Sequence, residues 1–212
     1  MKGFDRVARL YRWSEYATFG PLLSRCRFEF LSSAEEAQRA LVLGDGDGRF
    51  TAALLASSPE VLVDAVDQSA EMLRLLSTRC ASERVHTHCI DAMRFHLHGP
   101  YDLIATHFFL DCLSTNDVET LALRIAANSA PNARWLISDF DIPAGILRWP
   151  ARLLVRSLYL AFRVLTGLRI QQLPPWRQAL EEAGFHCLQS VPRLRGILVA
   201  EMWVLRPTMR VR

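Results

Sequence analysis

The sequence predicts an α/β fold, a mostly parallel sheet with helices on both faces and an antiparallel hairpin at its end. Three observations carry that prediction. A short apolar run, Leu41-Val42-Leu43, leads into glycines at alternate positions, Gly44, Gly46 and Gly48, and then into a helix-like continuation through Thr51 to Leu55. Short β-rich runs of the buried parallel type then alternate with helical stretches as far as Asp139. The chain finally offers a helix with a glycine stop, Pro175 to Gly184, and two strands, Phe185 to Val191 and Gly196 to Leu205, joined by a turn containing Pro192.

The glycine run is the centre of the chain. Glycine is needed where backbone adopts positive φ or comes close to a ligand, and a helix opening over the turn offers unpaired N–H groups and a positive dipole end. A nucleotide-like ligand suits that arrangement. Spacing narrows the choice. A dinucleotide-binding turn wants a small residue where the helix packs on the strand, and the position after Gly48 is Arg49.

The run Glu60 to Asp67 reads as a second strand, with Ser69 as N-cap of the helix that follows. Asp67 therefore sits at a strand's carboxyl end, where open α/β sheets bind ligands and where a carboxylate can accept both hydroxyls of a ribose. Asp64 falls within the strand. A third strand, Arg84 to Ile90, ends in Asp91-Ala92-Met93. His86 and His88 point to one face of it and Cys89 to the other, which argues against a metal site. Tyr101 to Thr106 is the fourth strand, a helix capped near Ser114 runs to about Asn128, and Ala133 to Asp139 is the fifth strand.

The pattern Gly44-x-Gly46-x-Gly48, followed by an acidic strand end at Asp67, resembles motifs I and II of class I S-adenosylmethionine-dependent methyltransferases. The resemblance implies a Rossmann-like, seven-stranded sheet and S-adenosyl-L-methionine as cofactor, bound over Gly44, Asp45, Gly46, Asp47 and Gly48. It gives the ribose to Asp67 with Gln68 beside it, and the adenine to Asp91 and Ala92. Thr106, which ends the fourth strand, joins the cofactor set. His107 to Leu113 sit where such enzymes face the transferred methyl. A neutral His107 can take a proton from an acceptor hydroxyl, with Asp111 orienting it from one helical turn on. The family's acidic residue two positions before the first glycine is replaced by Val42, and Asp45 or Asp47 is the candidate substitute.

Phe4-Asp5-Arg6-Val7-Ala8 with Tyr11 and a later Phe19-Gly20 is loosely similar to the start of the ubiquinone and menaquinone biosynthesis methyltransferases. Tyr11, Trp13 and Tyr16 either wall a pocket or are plain core, and a second helix is expected near Leu22 to Leu31. Residues 1–35 read as a helical cap and 142–174 as an inserted lid on one domain spanning 1–212. From Ile142 to Leu180 there is no acidic residue, yet Arg152, Arg156 and Arg163 fall on one stripe of a helix at roughly 100° per residue. That helix is a lid over an apolar acceptor, a peripheral contact with an anionic membrane, or a buried helix with a solvated stripe.

At 212 residues and half hydrophobic, the chain can bury a sizeable core. A net charge of +3 gives no reason to expect nucleic acid, and five cysteines without a C-x-x-C pair suggest neither a disulfide framework nor zinc. A reducing, cytoplasmic setting and a small-molecule acceptor, quinol-like, aromatic or lipid-like, are expected. The competing expectation is a non-catalytic protein that keeps the fold and binds S-adenosylmethionine.

Overall fold

A computed structural model describes residues 21–143 and 173–206, with Gly145, Trp149 and Leu153 between them. The helix expected before residue 20, with Tyr11, Trp13 and Tyr16, and the stripe of Arg152, Arg156 and Arg163 lie outside the described residues. Among the described residues no helix is long and apolar enough to cross a membrane.

Seven strands form one sheet: β1 (Arg39–Leu43), β2 (Leu62–Asp67), β3 (Val85–Cys89), β4 (Tyr101–His107), β5 (Ser129–Phe140), β6 (Phe185–Arg193) and β7 (Leu198–Leu205). Their order is β3-β2-β1-β4-β5-β7-β6. The first five run parallel and β7 is antiparallel to both β5 and β6, the Rossmann-like arrangement expected from the sequence. Strands β1 and β4 lie at the centre, which is why Leu41-Val42-Leu43 and Leu103-Ile104-Ala105 are uninterrupted apolar runs and buried.

The helices follow from their capping signals. Helix α1 is Pro21–Phe28 and α2 is Arg49–Ser57. Helix α3 (Ala70–Cys80) opens with the Ser69 side chain accepting from the Met72 N–H, and α4 (Thr115–Ala127) with Ser114 accepting from Asp117. Helix α5 (Trp176–Glu182) starts after Pro175 and stops before Gly184, whose φ of +96° no β-carbon-bearing residue adopts cheaply. One face of the sheet buries Tyr101, Trp135 and Trp203 under α4 and α5; the other buries Val42 and Val63 against Phe50 and Leu54 of α2.

Two expectations change. The second helix ends at Phe28, and Leu31–Ala34 forms a separate 3₁₀ turn. Pro192 lies inside β6 opposite Val199, and the turn is Leu194–Gly196. The reason is position: β6 is an edge strand, and an edge tolerates a residue that cannot donate to a ladder.

Gly48 joins the two layers of the nucleotide half. Its φ is +79°, and a β-carbon there would lie 2.6 Å from Leu76 Cγ and 2.9 Å from Leu76 Cα in α3. A β-carbon on Gly46, at φ +61°, would meet only Met72 Sδ at 3.7 Å. Gly48→Ala is therefore expected to cost about 2–4 kcal/mol, left-handed backbone plus overpacking, and Gly46→Ala only about 1–2 kcal/mol. Urea unfolding of both variants checks this; equal costs would show that the α2–α3 contact does not set the requirement.

Candidate functional site

The glycine loop leaves β1 at the carboxyl edge of the sheet, where the Gly44 N–H bonds the Val66 carbonyl of β2 at 2.9 Å. A β-carbon on Gly44 would strike the Phe109 ring, so glycine here admits an aromatic lid from the loop after β4. The α2 N-terminus is not left open, as the sequence suggested. The buried Asp45 carboxylate accepts from the Phe50 N–H at 3.2 Å, the Thr51 N–H at 2.8 Å and the Thr51 hydroxyl at 2.8 Å. Burial raises the Asp45 pKa, opposed by the nearby Arg27 and by those bonds. Asp47 faces outward to Arg79 at 2.8 Å and Arg49 at 3.2 Å. Val42 is buried in the core, and both loop carboxylates already have protein partners.

Asp67 ends β2 half-buried. Its carboxylate accepts from the Ser69 N–H at 2.8 Å and is stabilised by the Gly46 and Gln68 N–H groups, yet burial prevails and raises its pKa. One side chain thus ties the second loop glycine to the start of α3, with Gln68 exposed beside it. Asp64, three residues earlier, points to the opposite face of β2. It takes bonds from His88 at 2.9 Å and Tyr101 at 3.0 Å, which outweigh burial and hold its pKa below the ordinary value. That pairing gives His88 a structural task. Among the described residues no group of three His, Cys, Asp or Glu side chains is placed to hold a metal ion.

The turn after β3 is built by Asp91, whose carboxylate accepts from the Met93 N–H at 2.9 Å, and it buries Ala92. Sequence reasoning missed what fixes it. Arg124 of α4 donates to the carbonyls of Ala92 at 3.2 Å, Met93 at 2.9 Å and Phe95. The only signal in the sequence was an arginine on the otherwise apolar inner side of a helix. Thr106 is fully buried and its hydroxyl accepts from Trp135 Nε1 at 3.0 Å, so its side chain is committed to the core.

The reactive stretch after β4 departs most from expectation. Phe108 takes φ +56°, which reverses the chain, and Leu110–Cys112 is a 3₁₀ turn. Asp111 consequently does not lie one helical turn beyond His107. The His107 Nδ1 meets the Ser138 hydroxyl at 3.0 Å, while the Asp111 N–H donates to the Asp139 carboxylate at 3.2 Å. His107 is buried against the Phe50 ring, centroids 4.4 Å apart, and its Nε2 has no hydrogen-bond partner among the described residues. Burial, aided by the Arg27 charge, lowers its pKa well below the usual histidine value, so the ring is neutral. An unpaired buried acceptor costs roughly 1–3 kcal/mol, and such groups call for a reason.

Asp111 and Asp139 form a buried acidic pair. Burial raises the Asp111 pKa to about 6, and burial followed by the Asp111 charge raises that of Asp139 well above the carboxylate range. Between them the Cys112 thiol, donating to Asp111 at 3.4 Å, is also pushed up and is not a ready nucleophile. Asp67 is near enough for its charge to act on Cys112. The ends of β1, β2, β3, β4 and β5 thus bring the glycine loop, Asp67, Asp91 with Ala92, and the acidic pair to one edge, while His107 turns to the α1 and α2 face.

This edge fits one kind of cofactor better than another. A pyrophosphate seated on the α2 N-terminus would have to displace Asp45, because the N–H groups it needs are already bonded to a buried anion. An adenosyl group with a cationic sulfonium needs no such anion hole. It needs a carboxylate for the ribose and backbone close approach, both present at Asp67 and the glycine loop.

Residues 40–132 match the family described as a methyltransferase domain. No curated protein matches the chain by sequence. Among solved structures it is similar to the N-methyltransferase NodS from Bradyrhizobium japonicum WM9 in complex with S-adenosyl-l-homocysteine, with 13% identity over 87% of this chain and 84% of that one and a TM-score of 0.63. It is similar to an O-methyltransferase family protein from Burkholderia thailandensis, with 16% identity over 96% of this chain and 58% of that one and a TM-score of 0.69. The Mitomycin 7-O-methyltransferase MmcR is 20% identical over 95% of this chain and 60% of that one, with a TM-score of 0.65. The chain spans less than two thirds of the last two structures, and at these identities the likeness is one of fold.

The acidic pair makes a pH prediction. A carboxyl whose folded pKa is raised keeps its contribution below the unfolded value, near 4, and loses it as pH climbs through about 6, where the buried group must ionise. Wild-type stability should therefore fall between pH 4 and pH 7 by an Asp111 contribution on the order of 2–3 kcal/mol, and Asp111→Asn should shrink that fall. Urea unfolding at pH 4 and pH 7 measures it; an identical pH dependence in both proteins rules the buried-acid account out.

Proposed function

We propose that the protein transfers a methyl group from S-adenosyl-L-methionine to a small apolar acceptor, quinol-like, aromatic or lipid-like. The observation that carries this reading is the Asp45 carboxylate capping the α2 N-terminus, where a phosphate would otherwise bind, beside a half-buried Asp67 at a strand end that suits a ribose. In this reading Gly44, Gly46 and Gly48 let backbone approach the methionine portion, with Asp45 and Asp47 shaping the loop. Asp67 with Gln68 takes the ribose hydroxyls. Asp91 and Ala92 take the adenine, held in place by Arg124, and Thr106 fixes the end of β4 beneath them. The cofactor supplies an electrophilic sulfonium methyl; the chain supplies position and dryness.

The acceptor's apolar character is supported by the wall around the end of β4 and β5. Leu22, Leu23, Phe108, Phe140 and Leu173 pack together there, and Trp149 and Leu153 stand 75% and 72% exposed on the segment that follows. His107 is the base in this reading, through its Nε2, without Asp111 as its partner. One observation favours the non-catalytic alternative: with Val42 in place of a carboxylate and both loop aspartates engaged, the methionine ammonium lacks its usual acid partner.

Calorimetry with S-adenosylhomocysteine tests the cofactor. Binding is expected for the wild type, weakened by roughly 1.5–3 kcal/mol in Asp67→Ala, the scale of hydrogen bonds to a charged group. An unchanged Asp67→Ala affinity would sink the ribose assignment, and tight binding of NAD would overturn the reading. His107→Ala is expected to lower methyl transfer to hydroxyl-bearing apolar acceptors by about 10²–10⁴-fold with cofactor affinity intact. Cofactor binding without any transfer by the wild type would establish the non-catalytic alternative instead.

A further inference from the structure

We propose that Ser138 is a positioning residue that sets the tautomer of His107 and so makes Nε2, not Nδ1, its basic nitrogen. The argument is one of proton counting. The Ser138 hydroxyl has a single proton, and at 2.8 Å it faces the Cys26 main-chain carbonyl of α1, which can only accept. That proton is therefore committed to Cys26. The Ser138 oxygen also lies 3.0 Å from His107 Nδ1 and has only lone pairs left to offer, so Nδ1 must carry the hydrogen and donate it. A neutral imidazole has one N–H, and Nε2 is left with its lone pair. Nε2 is also the buried ring nitrogen that has no partner among the described residues.

Three other contacts hold this arrangement. The Phe50 ring packs on the imidazole at 4.4 Å and limits its rotation. Arg27, buried in the same α1 turn as Cys26, is the charged group that faces it and disfavours an imidazolium. The Phe108 N–H donates to the Ser138 carbonyl at 2.6 Å, fixing β5 against the chain reversal that follows His107. Donation thus runs from His107 of β4 through the Ser138 hydroxyl of β5 to the Cys26 carbonyl of α1.

The proton transfer rests on the proposed function. When an acceptor hydroxyl attacks the sulfonium methyl, the new O–C bond forms as the S–C bond breaks and its electron pair stays on sulfur. The hydroxyl proton passes to the His107 Nε2 lone pair. The Arg27 charge disfavours the imidazolium so formed and drives the return to the neutral ring.

Long-range ¹H–¹⁵N NMR of the full chain carrying ¹⁵N-histidine tests the tautomer directly, with His107→Asn used to assign the signal. In the wild type at neutral pH, His107 should show a protonated Nδ1 and an unprotonated Nε2. In Ser138→Ala the other tautomer should appear, and kcat should fall at least about tenfold while acceptor KM and S-adenosylhomocysteine affinity stay within about twofold. Ser138→Thr, which keeps the hydroxyl, should restore both. A wild-type His107 protonated at Nε2, or a Ser138→Ala protein with unchanged tautomer, overturns the proposal. Failure of S-adenosylhomocysteine to bind would instead strike the proposed function, since the tautomer is read without cofactor or acceptor.

Discussion

Much of this site depends on one hydrogen-bonded carboxylate. Asp45 lies between two glycines and turns back onto the helix that its own loop opens, so loop and helix are joined by three bonds to one side chain. The arrangement satisfies orphan donors at a buried helix start and neutralises the positive dipole end. It also decides ligand chemistry. A loop of similar glycine content with an uncapped helix invites phosphate; here the anion is internal, and what can approach is a neutral or cationic group. Gly48 could not be another residue without moving Leu76, and Gly44 could not be without moving Phe109.

The sheet then divides the labour between its faces. Thr106 and Trp135 face the side covered by α4, whose Arg124 fixes the Ala92–Phe95 turn. One residue later the pleat turns His107 to the opposite side, against Phe50, Ser138 and α1. The turn that Arg124 braces and the His107 ring therefore lie on opposite faces of the sheet, separated by a single step along β4. Phe108, in the left-handed region, ends that strand abruptly and sends Asp111 back towards Asp139. Strained backbone of this kind persists where surrounding contacts over-determine it, and here the 2.6 Å bond from Phe108 to Ser138 is one of them.

The parts legible in the sequence were those governed by local rules. Central strands showed as apolar runs, Ser69 and Ser114 as caps, Gly184 as a stop, and Asp67 as an acid at a strand end. The boundaries that moved did so for long-range reasons: Pro192 is tolerated inside β6 because nothing pairs with its outer side among the described strands. The His107–Asp111 pairing failed because it assumed helical spacing, and one residue at positive φ undoes that spacing. Arg124 and Ser138 were invisible for a different reason. Each acts on groups far away in sequence, Ser138 on a carbonyl 112 residues earlier, and no spacing rule reaches that distance. The role of Asp45 was open because a carboxylate in a glycine loop reads equally well as a cap or as a ligand contact.

Asp45, Asp67, Asp111 and Asp139 all have raised pKa values, and for each the largest cause is burial. Concentrating four such carboxyls at one edge of the sheet disfavours their charged forms, and Asp139 bears the extra repulsion of Asp111. In the proposed function the incoming cofactor is a sulfonium with an ammonium, and its charge offsets part of that cost. The positive charge of Arg27 acts on Asp45 and on His107 together, holding the loop anion in place while keeping the base uncharged. One guanidinium thus favours the charged form of Asp45 and the uncharged form of His107.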